Sequence, residues 1–217
     1  MNMHEPGSGK LIRQLLDDAL RTDLDGWLRG HGFSRRAGSL IFSRRLPTAE
    51  QKLELTLQLR PSDDRKAAAA VYPHVVVNMP SVTSKVVEMT GGEHTLQGYC
   101  GSLRQPLGWL SEGNGTGRWH LYEEPSVFSF VSELQDFLGA YGLPFFDNYR
   151  TQQDVVSAYQ RGDKRIPLTD NQLLRVGAAM VLSGQADDAR QALQERFGKP
   201  GRKAQFAAVL ASVGIQS

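Results

Sequence analysis

Apolar positions change period several times along the chain, and each change marks an element. Leu11, Ile12, Leu15, Leu16, Ala19, Leu20, Leu24, Trp27 and Leu28 recur at i, i+4 and i+7, while Arg13, Asp17, Asp18, Arg21 and Asp25 fall mostly opposite them. That spacing predicts an amphipathic helix, with Gly30 and Gly32 as its stop. Phe33 to Arg36, a turn at Ala37 and Gly38, and Leu40 to Leu46 then read as a hairpin. Leu53, Leu55, Leu57 and Leu59 alternate with Glu54, Thr56, Gln58 and Arg60. This strict period of two predicts a strand with one buried face, ended by Pro61, Ser62, Asp63 and Asp64.

The run Ala67 to Met79 contains Val75, Val76 and Val77 and stops at Pro80, so its β-branched density favours a strand. Ser81 to Met89 reads as a short helix capped by Ser81 and closed by Gly91 and Gly92. Two more strands are expected at Thr95 to Arg104 and Arg118 to Tyr122, joined by a Gly-rich loop. Ser126 to Tyr141 is a second amphipathic helix with Val127, Phe130, Val131, Leu134, Phe137 and Leu138 inward. From Thr151 the pattern is helical throughout: Thr151 to Tyr159, Asp170 to Ser183, Ala186 to Phe197, and Ala204 to Val213. The fold class is therefore α+β, an antiparallel sheet packed by helices and followed by an all-helical C-terminal extension. The expected domains are residues 1–160 and 161–217. Gly177, Gly184, Ala186, Ala189 and Leu193 stand where a tetratricopeptide-type hairpin places small and apolar residues. One such unit is too few for a solenoid, which needs about three to bury a continuous core.

Composition narrows the class. With 217 residues the chain can bury a real core, and its single Cys excludes an intramolecular disulfide or a Cys-based zinc cage. Neither a secretory h-region nor a membrane-length apolar run is present, so a cytoplasmic location away from membranes is expected. The net charge of +2 hides an uneven distribution. Residues 29–66 carry nine Lys or Arg against four Asp or Glu, and residues 112–154 carry two against seven, nets of +5 and −5. A bipolar chain of this kind could give a basic face and an acidic face, although the solvated faces of an ordinary globular protein look the same.

Candidate chemistry is sparse. Ser8, Gly9 and Lys10 have neither the upstream glycine nor the preceding strand of a phosphate-binding loop. Gly113 to Gly117 leads into Arg118, Trp119, His120, Leu121 and Tyr122, which alternate like a strand and do not open the helix a dinucleotide loop requires. The histidines, His4, His31, His74, His94 and His120, lack metal-ligand spacing, so no metal or cofactor is expected. Cys100 with His94 or His120 could be drawn as nucleophile and base, but a lone Cys on a strand is usually a small buried hydrophobe. Arg161, Gly162 and Asp163 are a chance tripeptide in a chain expected in the cytoplasm. Arg35, Arg36, Arg44 and Arg45 stand on the two arms of one predicted hairpin and offer a phosphate-binding alternative. The low total charge argues against nucleic acid as the partner.

One resemblance spans roughly residues 11–160. GFSRRAGSLIFSRR, the alternating strand, CGSLRQPLGWLSEG, RWHLY and FLGAYGLPFFDNY occur in an order that resembles the bacterial domain-of-unknown-function family 4304. The resemblance implies a helix, a curled antiparallel sheet and a closing helix. It also implies kinship with small α+β proteins found beside polymorphic toxins, and hence a non-enzymatic immunity protein that binds and neutralises a cognate toxin. On that reading Glu112, Glu123, Glu124, Asp136 and Asp147 would meet a basic partner and steer its approach, with Trp119 beside them. Trp109, Tyr122, Tyr141 and Tyr149 are further candidate anchors, although most of these aromatics are expected in the core.

Overall fold

The leading apolar stripe becomes one continuous helical run: α1 (Ser8–Ala19), a π turn (Leu20–Leu24) and α2 (Asp25–Gly30). Ile12, Leu16, Ala19, Leu20, Leu24 and Leu28 are its buried side. Gly32, at φ 81°, turns the chain out of the helix in a conformation that a side chain would resist. The computed structural model describes residues 8–92, 103–111, 117–165 and 168–215.

Among the described residues five strands follow: β1 (Ile41–Arg45), β2 (Glu50–Leu59), β3 (Ala69–Asn78), β4 (Leu103–Pro106) and β5 (Trp119–Leu121). They form one antiparallel sheet of order β1-β2-β3-β4, with β5 also paired to β3 through Ala69 with Leu121, Ala70 with His120 and Val71 with Trp119. With helices packed around the sheet and further helices at the C-terminal end, the fold is α+β. The expected hairpin is present as the Ser34–Ser43 bridge beside β1. Of the strand expected at 95–104, residues 95–102 lie outside the described residues, and β4 begins at Leu103. On β2 the period of two holds, but the buried set is Gln51, Leu53 and Leu55, and Leu59 is exposed. Gln51 is tolerated inside because its amide donates to the Phe146 carbonyl at 2.6 Å and its oxygen accepts from Arg44 Nε at 2.8 Å.

The expected helix at 81–89 is α3 (Pro80–Met89), with Met79 at the N-cap and Pro80 at the first helical position, where its missing N–H costs nothing. Ser81 therefore lies inside the helix. The second long apolar stripe becomes α4 (Glu124–Phe137), a π turn (Leu138–Gly142) and α5 (Leu143–Asp147). Val127, Phe130, Val131 and Leu134 are its buried face, and α4 packs with α1 and β5.

Two compact units emerge, each discontinuous in sequence. The first takes the described residues of Met1–Arg45, Gln51–Val76 and Arg104–Asp147, and the second those of Leu46–Glu50, Val77–Leu103 and Asn148–Ser217. The second holds α3, α6 (Gln152–Gln160), α7 (Asp170–Leu182), α8 (Ala186–Phe197) and α9 (Ala207–Ser212). A division after residue 160 would separate α6 from helices with which it groups. The physical reason is α7: Leu173, Leu174, Val176, Ala178, Ala179 and Met180 are buried around most of its circumference, and α3, α6 and α8 all pack against it. Inside this unit Tyr149 is buried and donates to Asp163 Oδ2 at 2.7 Å, while Arg165 closes a salt bridge to the same oxygen at 2.6 Å.

Candidate protein-binding face

Helix α4 begins where Ser126 Oγ accepts the Tyr122 and Glu123 N–H groups, at 2.9 and 3.1 Å, which turns the chain sharply out of β5. Pro125 in the first turn suits the helical φ. With Val127, Phe130, Val131 and Leu134 inward, the outward positions follow from the helical period. Glu124, Phe128, Ser132 and Asp136, each four residues from the next, form one exposed row. Phe128 is 43% exposed, and it sits between two carboxylates that have no ion-pair partner among the described residues. From Trp119 to Tyr149 the sequence contains five Asp or Glu and no Lys or Arg, so nothing basic within this segment can neutralise the row.

Aromatic rings support the face from below. Trp119 on β5 meets Phe130 and Phe137 edge-on, at centroid distances of 5.7 and 6.2 Å, and Phe137 pairs with Tyr141 at 4.7 Å. The indole N–H of Trp119 donates to Glu133 Oε2 at 3.0 Å, so this acid is tied to the scaffold. Tyr122 and Tyr141 are 43% and 39% exposed, Trp109 is 55% exposed and Trp119 is half-buried. Of the aromatics expected mostly in the core, only Tyr149 is fully buried.

The sequence-predicted acids do not form one cluster. Glu123, Glu124 and Asp136 stand on or at the head of α4 and are exposed, with Trp119 under the same helix. Asp147, at the end of α5, accepts from Arg44 Nη2 at 2.9 Å and is engaged within the fold. Glu112 lies outside the described residues, as do His4, His94, Cys100 and Gly113 to Thr116.

The four hairpin arginines divide into two pairs. Arg35 has a side chain only 3% exposed, donates to Asp25 Oδ1 at 2.6 Å, and also pairs with Asp17. Arg44 bonds Gln51, the His31 carbonyl and Asp147, and lies 4.8 Å from the Phe33 ring centre. Arg36 and Arg45 remain exposed. Half of the expected basic face is thus consumed by the protein's own carboxylates, so the two charge stretches do not survive as two whole faces.

A network with no local signature in the sequence joins the β2–β3 connection to β5. Asp63 is held by Arg118 and by His120 Nε2, the latter at 3.0 Å, and Asp64 Oδ2 accepts from the Tyr122 hydroxyl at 2.8 Å. Desolvation of Asp63 would raise its carboxyl, but its backbone hydrogen bond and the Arg118 and His120 contacts outweigh this and hold it below the usual carboxylate range. Hydrogen bonds from the Lys66 backbone and Tyr122 hold Asp64 down in the same way. Only the alternation of Arg118, His120 and Tyr122 on one strand could have hinted at this cluster; their partners are more than 50 residues away.

Among the described residues no group of three or more His, Cys, Asp or Glu side chains could hold a metal ion, and no helix is long and apolar enough to cross a membrane. Comparison of the chain with protein-family models, with curated proteins and with solved structures returns no match.

Proposed function

We propose that the chain is a non-enzymatic binding protein that acts in the cytoplasm as an immunity protein, capping the basic surface of a cognate bacterial toxin with α4. The observation that carries this reading is the exposed row Glu124, Phe128 and Asp136, a ring flanked on a rigid helix by two carboxylates with no ion-pair partner among the described residues. A contact of this composition suits a cationic protein surface: the acids accelerate encounter, and the ring supplies apolar contact area once water is expelled. The resemblance drawn from the sequence supplies the toxin as the partner, and the rigid α4 scaffold supplies a preformed surface that need not reorganise on binding.

The test is co-purification with the product of the neighbouring gene, followed by interaction measurements with Glu124→Gln/Asp136→Lys. A complex weakened at least tenfold at low salt by this pair, with the isolated variant still folded, supports the reading. The reading fails if no complex forms or if the pair leaves the affinity unchanged.

A further inference from the structure

The β2–β3 connection carries a second surface feature, an open depression independent of α4 in which Arg60, Ser62 and Arg65 are exposed. A cavity of about 350 Å³ is lined by Arg60, Pro61, Ser62, Arg65 and Ala67. That volume is at the small end of ligand pockets, which span roughly 300–1,000 Å³. The connection is held rigid at its base, because the Arg60 N–H donates to the Ala68 carbonyl and the Ala68 N–H donates to the Leu121 carbonyl, at 3.0 and 2.8 Å. Inside it, Asp64 accepts from the Lys66 N–H at 2.9 Å and its carbonyl accepts from Ala67.

Charge is sorted within this loop. Both of its carboxylates are already engaged on the side toward β5, Asp63 by Arg118 and His120 and Asp64 by Tyr122. The side chains of Arg60, Ser62 and Arg65, by contrast, have no hydrogen-bond or ion-pair partner among the described residues, and all three line the cavity. Within the connection, Arg60, Arg65 and Lys66 stand against Asp63 and Asp64, a charge of +1, and Arg118 before β5 is spent on Asp63. Arg60 also has φ 49°, the only positive value among the described non-glycine residues. A side chain held in the left-handed region is strained, and such positions persist where the surroundings fix them and tend to gather at ligand sites.

We infer that Arg60, Ser62 and Arg65 form a binding site for the terminal phosphate of a small phosphorylated metabolite. Two guanidinium groups offer paired N–H donors to a tetrahedral oxyanion, and the Ser62 hydroxyl offers a further donor. A phosphomonoester carries between one and two negative charges near neutral pH, its second ionisation lying near pH 6. The dianion is matched by the two guanidinium charges of Arg60 and Arg65 that line the cavity. The cavity leaves room beyond the phosphate for a few carbon atoms and has no aromatic lining on which a base would stack.

The experiment titrates the full chain with glycerol 3-phosphate, with inorganic phosphate and with an oligonucleotide lacking a terminal phosphate, following ligand binding by calorimetry and the Arg side-chain N–H signals by NMR. Saturable binding of glycerol 3-phosphate is expected, strengthening from pH 5 to 7.5 as the dianion forms. It should weaken at least tenfold in Arg65→Ala and in Arg60→Gly, the second of which also relieves the backbone strain and keeps the fold intact. Inorganic phosphate binding as tightly as the ester would support the same site and identify the free ion as its ligand. Tighter binding of the ester identifies the metabolite. The inference is overturned if neither saturates, if both arginine variants bind as the parent does, or if the oligonucleotide binds as tightly as the ester.

Discussion

Arg35 and Asp25 are joined by a 2.6 Å contact between Nε and Oδ1, with the arginine side chain only 3% exposed. The same guanidinium pairs with Asp17 and donates to the Ser39 carbonyl at 3.0 Å. One cation thus ties the first two helices to the hairpin, and its charge is used up inside the fold. Replacing it leaves two partly buried carboxylates facing each other without a counter-charge. Arg35→Ala is expected to destabilise the protein by about 3 kcal/mol, as for other broken buried ion pairs. Exposed Arg36→Ala should change stability by less than about 0.5 kcal/mol. Parallel urea unfolding of the two variants checks the contrast, and equal effects would contradict the structural role given to Arg35.

Acid stability should depend on Asp163. Burial alone would raise its carboxyl, but hydrogen bonds from Arg165 and Tyr149 prevail and hold it down at about 2. Because the folded value lies below the unfolded one, the group's contribution is fully present above about pH 4 and is lost as pH falls toward 2. With its side chain 11% exposed, the contribution at neutral pH is on the order of 2 kcal/mol. Asp163→Asn should therefore be less stable at pH 7, and the gap to the parent should narrow between pH 4 and 2. Thermal melts across that range measure the slope; a constant gap would rule out the linkage.

Gly177 on α7 lies against Leu193 on α8, and a Cβ at 177 would stand 2.9 Å from Leu193 Cδ1. Alanine gains about 1 kcal/mol of helix propensity over glycine, but overpacking costs about 1–3 kcal/mol. Gly177→Ala is expected to be mildly destabilising in the parent and stabilising in the Leu193→Ala background, where the space is vacated. A double-mutant cycle by denaturant unfolding tests this, and strict additivity would refute the close approach.

On α4, charge and apolar contact should separate kinetically. With a toxin partner in hand, Asp136→Lys is expected to slow association several-fold at low salt and little at high salt. Phe128→Ala should leave association nearly unchanged and speed dissociation about tenfold or more. Surface plasmon resonance at two ionic strengths reads both rates. A salt-independent effect of Asp136→Lys would remove the electrostatic part of the argument.

Local order is legible in the amino-acid sequence itself. The stripe from Ile12 to Leu28, the alternation through Leu53 and Leu55 and the stripe from Val127 to Leu138 each encode their own face, because a helix or strand repeats its direction at a fixed residue interval. These patterns suffice for the α+β class and for most element positions. The row Glu124, Phe128 and Asp136 is readable in the same way, since all of its members belong to one helix.

What the chain alone does not decide is which charges remain available. Asp17, Asp25 and Asp147 meet Arg35 and Arg44 only after the sheet and helices assemble, Asp147 from 103 residues away along the chain. The grouping of α6 with α7, and the cavity between Arg60 and Arg65, likewise depend on packing rather than on any local repeat. Sequence determines the faces because periodicity is a local property. Tertiary structure decides the sites because pairing, burial and cavities arise between residues whose separation along the chain carries no information about their separation in space.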